Sequence, residues 1–289
     1  MALTTLPPRG ERSPQLRTFA TLRQRARTGD LELPVLPASA AEVIRLTHDD
    51  RATPRHVAAA IRRDVSLTAH ILRIANSPLY RSSSPIHSLD QAVARLGFGE
   101  VRNLALTVAC RTRVFAVRGY EVDVRRTFRH SFAAALFCHE LARGRAISGE
   151  EAFLVGLLHD VGEPILIQLA VDLARSYGEN LPRAMLLSEV HSLHAEVGER
   201  LMRLWKISDL AATVTLFHHA PHLAPPELAL GARLVALADD LADFALASGD
   251  GGGPIPPSPH AEALGIGTEA LRVLATRASS IRGTVDALT

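Results

Sequence analysis

Seven residues of this chain have the types that a metal centre needs. His130 is followed by the pair His159-Asp160, then by His194, then by the pair His218-His219, and finally by Asp239. Imidazole and carboxylate donors in one set suit Zn²⁺, Fe²⁺ or Mn²⁺. A cation held that way lowers the pKa of its water and supplies hydroxide for phosphoester hydrolysis, most effectively in a two-metal arrangement. A His-Asp dipeptide alone is weak, because a lone histidine on an apolar helix is usually a hydrogen-bonded core residue. A buried His–Asp network without metal would also satisfy these groups. The metal reading rests on the whole series, spread over several helices and helix ends.

Helices must carry these residues, since no segment shows the period-two alternation of a strand and no internal repeat is found. The fold class expected is all-α. Thr53-Pro54 opens "PRHVAAAIRRD" as an N-cap and a proline at the first helical position. Ser88 with Gln91 forms a capping-box pattern for "SLDQAVARLG", and Gly97 supplies its C-terminal stop. The second half opens with a long helix over 124–143 that carries His130. Ser148 and Glu151 give another capping box, leading into the apolar stretch "LVGLLHDVGEP" at 154–164. Further helices are expected at 182–190, 194–205, 208–219 and 227–247, so that His194 begins one and His218-His219 closes the next. Gly156 and Gly162, three residues either side of His159, and Gly198, four after His194, let neighbouring helices or a ligand come close. In "ANSPLYRSSSPIHS", Asn76 is expected to cap or crosslink the fold. Residues 1–27 read as a partly ordered leader, and "SGDGGGPIPPSPH" at 248–260 as a flexible excursion.

Composition narrows the class. The chain has 289 residues, 47% of them hydrophobic and only 4% aromatic, which suits closely packed helices. Net charge is +2, so no polyelectrolyte attraction follows. Cys110 and Cys138 fit no C-x-x-C pattern and indicate inert thiols in a reducing compartment. No signal peptide develops before the N-terminal stretch turns polar. The best membrane candidate, 152–171, is interrupted at its centre by His159, Asp160, Glu163 and Pro164. A cytoplasmic protein with no membrane partner is expected. The arginines at 111, 113, 118, 125, 126 and 129 make the entry to the His130 helix basic. Arg126 and Arg129 are candidate phosphate or ligand contacts. No zinc finger or specific helix-turn-helix signal points to nucleic acid.

At this point the chain resembles a known family, the HDOD proteins, bacterial relatives of the HD-domain phosphohydrolases. "LPVLP" at 33–37 is similar to the family's opening motif. "RRDVSLTAHILRIANSPLY" at 62–80 and "SPIHSLDQAVARLGFGEVRNLAL" at 84–106 match its most recognisable stretch. "RHS", "GLLHDVGE", "HAEVGERLMRLWKIS" and "FHHAP" follow in the family's order. The resemblance implies an N-terminal helical subdomain packed on an HD-like helical bundle. The implied HDOD domain covers 28–225, with an N-terminal helical part at 28–118 and an HD-like part at 119–225. Residues 226–289 then form a C-terminal helical extension completing the bundle. It also implies a regulatory role in bacterial signalling, including cyclic-dinucleotide pathways, and places the seven residues where HD-type proteins hold metal.

Two departures bear on catalysis. Related HD-GYP phosphodiesterases continue His-Asp-x-Gly into a lysine, whereas Glu163 stands there in this chain. "HHAPHLAPPEL" also replaces the glycine-tyrosine-proline signature. The leading expectation is a signalling protein that binds a divalent metal (Fe, Mn or Zn), acts through a protein partner and a nucleotide or cyclic dinucleotide, and lacks efficient catalysis. The alternatives are a metal-dependent phosphohydrolase on such a nucleotide, and a purely structural or DNA-binding module with a vestigial His/Asp core.

Overall fold

The structure is a computed structural model that describes residues 16–76, 85–114, 116–247 and 258–288; among them it contains helices and no strand. Helices α2 (Ala38–Thr47), α3 (Pro54–Arg62), α4 (Val65–Ala75) and α5 (Leu89–Ala109) pack on one another as an N-terminal part. Their starts are set by side chains: Thr53, Asp64 and Ser88 each accept a hydrogen bond from the amide three residues on. Gln91 takes its hydrogen bond from the His87 amide rather than from Ser88. Gly97 adopts φ 79°, ψ 170°, and kinks α5 instead of ending it. Asn76 crosslinks as expected. Its Nδ2 donates to the carbonyls of Leu72 and Ile86, and its Oδ1 accepts from the Ile86 amide at 2.8 Å. Tyr80, Arg81 and most of the excursion at 248–260 lie outside the described residues.

The second part is a bundle of α6 (Glu121–Leu141), α7 (Gly149–Leu158), α8 (Gly162–Tyr177), α9 (Arg183–Leu204), α10 (Asp209–Phe217) and α11 (Ala229–Ala247). A short α12 (Pro259–Ala263) packs on α11, and α13 (Thr268–Leu288) lies against α6 and α11. Phe128, Phe132 and Phe137 of α6 and Phe153 of α7 are buried, and the Phe132 and Phe153 rings meet edge-on. Burying each contributes about 1.5–3 kcal/mol. Residues 149–177 are apolar enough in composition to cross a membrane, yet most of that window is buried inside the protein and the chain turns at His159–Val161.

Two expectations about elements change. Residues 17–28, read as part of a leader, form helix α1 (Arg17–Thr28), which packs on α8 and α9 through Phe19, Leu22 and Ala26. Glu179 accepts from the first amides of α1, Arg17 and Thr18, both at 2.9 Å. Arg23 makes a bidentate pair with Glu189, and Trp205 Nε1 donates to the Pro34 carbonyl at 2.8 Å. The two helices expected at 182–190 and 194–205 are one helix, α9. Val190, Leu193, Val197 and Leu201 continue a single buried stripe that no proline breaks, and Gly198 lies within it at the contact with Thr215. His194 therefore sits inside a helix and does not begin one.

Candidate metal centre

Each of the buried histidines is aimed by the backbone that carries it. His159 is the residue that ends α7, and His218 the residue that ends α10, whereas His194 lies inside α9. His159 Nδ1 donates to the Gly156 carbonyl at 2.7 Å, His194 Nδ1 to His191 at 2.7 Å, and His218 Nδ1 to Thr215 at 2.9 Å. A carbonyl oxygen can only accept, so the hydrogen sits on Nδ1 and each Nε2 is left as the ligating atom. This is the arrangement by which metal-binding histidines have their tautomer and ring orientation set.

Those Nε2 atoms converge on Asp160. His194 Nε2 lies 3.1 Å from the Nε2 of both His218 and His219. Asp160 Oδ1 is 3.3 Å from His194 Nε2 and 3.5 Å from His218 Nε2. Its other oxygen, Oδ2, lies 3.2 Å from His159 Nε2. Asp239 Oδ1 is 3.5 Å from His159 Nε2 and 2.5 Å from His130 Nε2, while His130 Nδ1 is held by Asp243 at 3.2 Å. Two donor groups result: His130, His159, Asp160 and Asp239; and Asp160, His194, His218 and His219. Asp160 belongs to both, with one oxygen toward each. All seven residues singled out in the sequence thus meet at one place.

The groups fit a cation on physical grounds. His159 Nε2 is fully buried and makes no hydrogen bond among the described residues. With their Nδ1 hydrogens committed, His194 and His218 face one another through Nε2 lone pairs, a repulsive contact unless a proton or a metal lies between them. The electrostatics agree. Burial would raise the Asp160 carboxyl, but His159, His194 and His218 hold it well below the usual carboxylate range. Burial also opposes charge on His130, yet its hydrogen bonds to Asp239 and Asp243 lift it to about 9. Against the same burial penalty, His159 is raised by Asp160 and Asp239, and His194 by Asp160 and Glu163. Burial lowers His218, and lowers His219 to about 4 with help from the neighbouring imidazoles. Without metal the cluster therefore retains protons, which is how closely set donors relieve one another.

The glycines noted in the sequence serve helix packing. A Cβ on Gly156 would meet Ala135 of α6, one on Gly162 the backbone of His194, and one on Gly198 the side chain of Thr215. The site opens to a cavity of about 760 Å³ lined by Arg126, Arg129, Asp160, Glu163, Asp239 and Asp243, among others. Arg129 pairs with Asp286 of α13 at 2.6 Å. Glu163 Oε2 accepts from Thr127 at 2.7 Å; burial and Asp160 raise its carboxyl. Sequence reasoning passed over His191, Glu163 and Asp243 as members of the site. The signal was spacing: His191 precedes His194 by three residues and Asp243 follows Asp239 by four, so each shares a helix face with a chosen residue.

Known proteins show where the chain's likenesses lie. A protein of Treponema pallidum (strain Nichols), itself uncharacterized, is 26% identical over 210 residues, which is 68% of this chain. The chain spans only 39% of the length of that curated relative. A crystal structure from Shewanella amazonensis SB2B, described as a "putative phosphohydrolase", superimposes with a TM-score of 0.69 at 25% identity, covering 93% of this chain and 98% of that one. An HDOD domain protein with unknown function from Geobacter sulfurreducens has the same fold, with a TM-score of 0.71 at 24% identity over 94% and 98% of the two chains. The HDOD domain matches residues 33–221, from the "LPVLP" motif through "FHHAP". With the domain extending over both helical parts, the chain belongs to the HDOD family.

Proposed function

We propose that this chain is a cytoplasmic signalling protein that holds divalent cations in the His/Asp centre. In the loaded state it receives an anionic phosphorylated ligand, such as a nucleotide or cyclic dinucleotide, and passes its state to a protein partner without efficient turnover. The observation that carries the metal reading is the set of Nε2 atoms packed around Asp160 with their Nδ1 hydrogens already committed. A bound divalent cation would supply Lewis acidity and an acidified water there. The chain's own groups do the rest. Asp160 offers one oxygen to each donor group, Asp243 orients His130, and Arg126 and Arg129 stand at the cavity wall. Asp160, Glu163, Asp239 and Asp243 line that cavity with Arg126 and Arg129, so cations held among the carboxylates would add positive charge for an anion. Anion binding is therefore expected to strengthen with metal.

Weak turnover follows from Glu163, which occupies the position of the phosphate-holding lysine in the related phosphodiesterases. A metal-dependent phosphohydrolase is the second reading, favoured by the full donor series and by the name of the Shewanella relative. The test is elemental analysis of tag-free protein alongside Asp160→Asn, followed by cyclic-dinucleotide binding and turnover with and without chelator. Metal at one equivalent or more that Asp160→Asn lowers, and chelator-sensitive binding with negligible turnover, are expected. Turnover at the rates of true phosphodiesterases would establish the second reading. Folded wild-type protein that takes up no metal would overturn both.

A further inference from the structure

A third group of donors lies on the outer edge of the centre. Glu163 on α8 and His191 on α9 bring ligand atoms within 4.8 Å of each other and of His194. Glu163 has one oxygen engaged by Thr127, which fixes the carboxylate and leaves Oε1 for another partner. His191 is exposed at the cavity wall, with its ring 5.4 Å from that of His194 and 5.1 Å from that of His219. The group is thus built on one side and reachable from solvent on the other.

We propose that Glu163, His191 and His194 form a third divalent-cation position, so that the loaded centre carries three ions. The inference rests on the metal reading above. It also follows from how the donors divide. The Nδ1 of His194 is committed to the His191 carbonyl, so its Nε2 serves one ion at a time. Given to the outer ion, it leaves Asp160, His218 and His219 for the middle one and His130, His159, Asp160 and Asp239 for the inner one. Each position keeps at least three protein donors, the number found in open metal sites that leave room for water or ligand. Ligand atoms around a cation with bonds of about 2.1 Å stand roughly 3.4 Å apart, so small side-chain rotations close the group. The outer ion would restore positive charge beside the residue that replaces the lysine of the phosphodiesterases. An anion entering the cavity would then meet a metal where those enzymes present an ammonium.

The test is a count of ions in the full chain. Chelator-stripped, tag-free protein is loaded with Zn²⁺ or Mn²⁺, desalted and measured for metal and protein, together with Glu163→Gln and His191→Gln. Glutamine at 163 keeps the acceptor for Thr127, and His191 is exposed, so both variants should fold; circular dichroism checks this. Three equivalents in the wild type and two in each variant are expected. Equal counts in all three proteins, at two or at three, overturn the proposal while leaving the metal reading intact. Zero in all of them removes the metal reading itself.

Discussion

Alanine in place of Gly162 should damage the fold and the centre together. The added Cβ would lie 2.0 Å from the carbonyl oxygen of His194 and 2.8 Å from its carbonyl carbon. Ordinary contact begins near 3.4 Å, so α8 and α9 must part by about 1.4 Å, and the obstacle is backbone that has no rotamer to change. Overpacking of this kind costs about 3 kcal/mol, the upper end of its usual range. For a domain of this size that lowers Tm by roughly 6–10 °C. The residue displaced is His194 itself, whose Nε2 stands 3.3 Å from Asp160, so metal affinity should fall at least about tenfold. Thermal unfolding of the stripped protein and competitive metal titration read the two effects separately. Gly283→Ala on α13 is the control, since its Cβ meets nothing within 4 Å and should stabilise by about 0.5–1 kcal/mol. A Gly162→Ala protein that melts within a degree of wild type and binds metal as tightly would refute the packing argument.

Other outcomes can be checked with the same assays. Chelation should lower the Tm of wild type by several degrees, because a ligand present at a hundred times its Kd adds about 2.7 kcal/mol; Asp160→Asn should respond less. The folded-state pKa of His130, lifted to about 9 from 6.5, makes its contribution to metal-free stability full below pH 6.5 and lost as pH rises through 9. Metal-free protein should therefore weaken in urea between pH 7 and 10, whereas loaded protein, with His130 already deprotonated, should not show that loss. Its persistence in metal-free His130→Gln would show that other groups cause it. Asn76→Ala removes three hydrogen bonds and leaves the Ile86 amide without its acceptor, so urea unfolding should report a loss of about 2 kcal/mol.

The helical class and the seven donors could be read because each leaves a local mark: a capping residue, a stop, or a histidine inside an apolar run. What escaped was long-range. The stripe Phe19, Leu22, Ala26 has helical spacing, but the arginines around it hide it, and its partners are on α8 and α9. The division expected between 190 and 194 does not exist, because the buried stripe of α9 runs straight through it. Glu163 looked like a simple loss of a lysine. Only the packing of α8 against α9 shows that it faces His191 and His194. Whether Gly156 and Gly162 admit a ligand or a helix is likewise decided by tertiary contacts that spacing does not contain.

The placement of α1 has a consequence for synthesis. The hydrogen bonds that tie Arg17, Thr18, Arg23 and Arg27 to Glu179, Glu189 and Arg200 join residues 161 to 173 positions apart. Helix α1 thus leaves the ribosome well before its docking surface is made. At about 5–20 residues per second, its apolar stripe waits roughly 8–35 s before α9 emerges. During that interval Phe19 and Leu22 are open to chaperones or to other nascent chains. The surrounding arginines, which conceal the helix in the sequence, also keep that waiting segment charged.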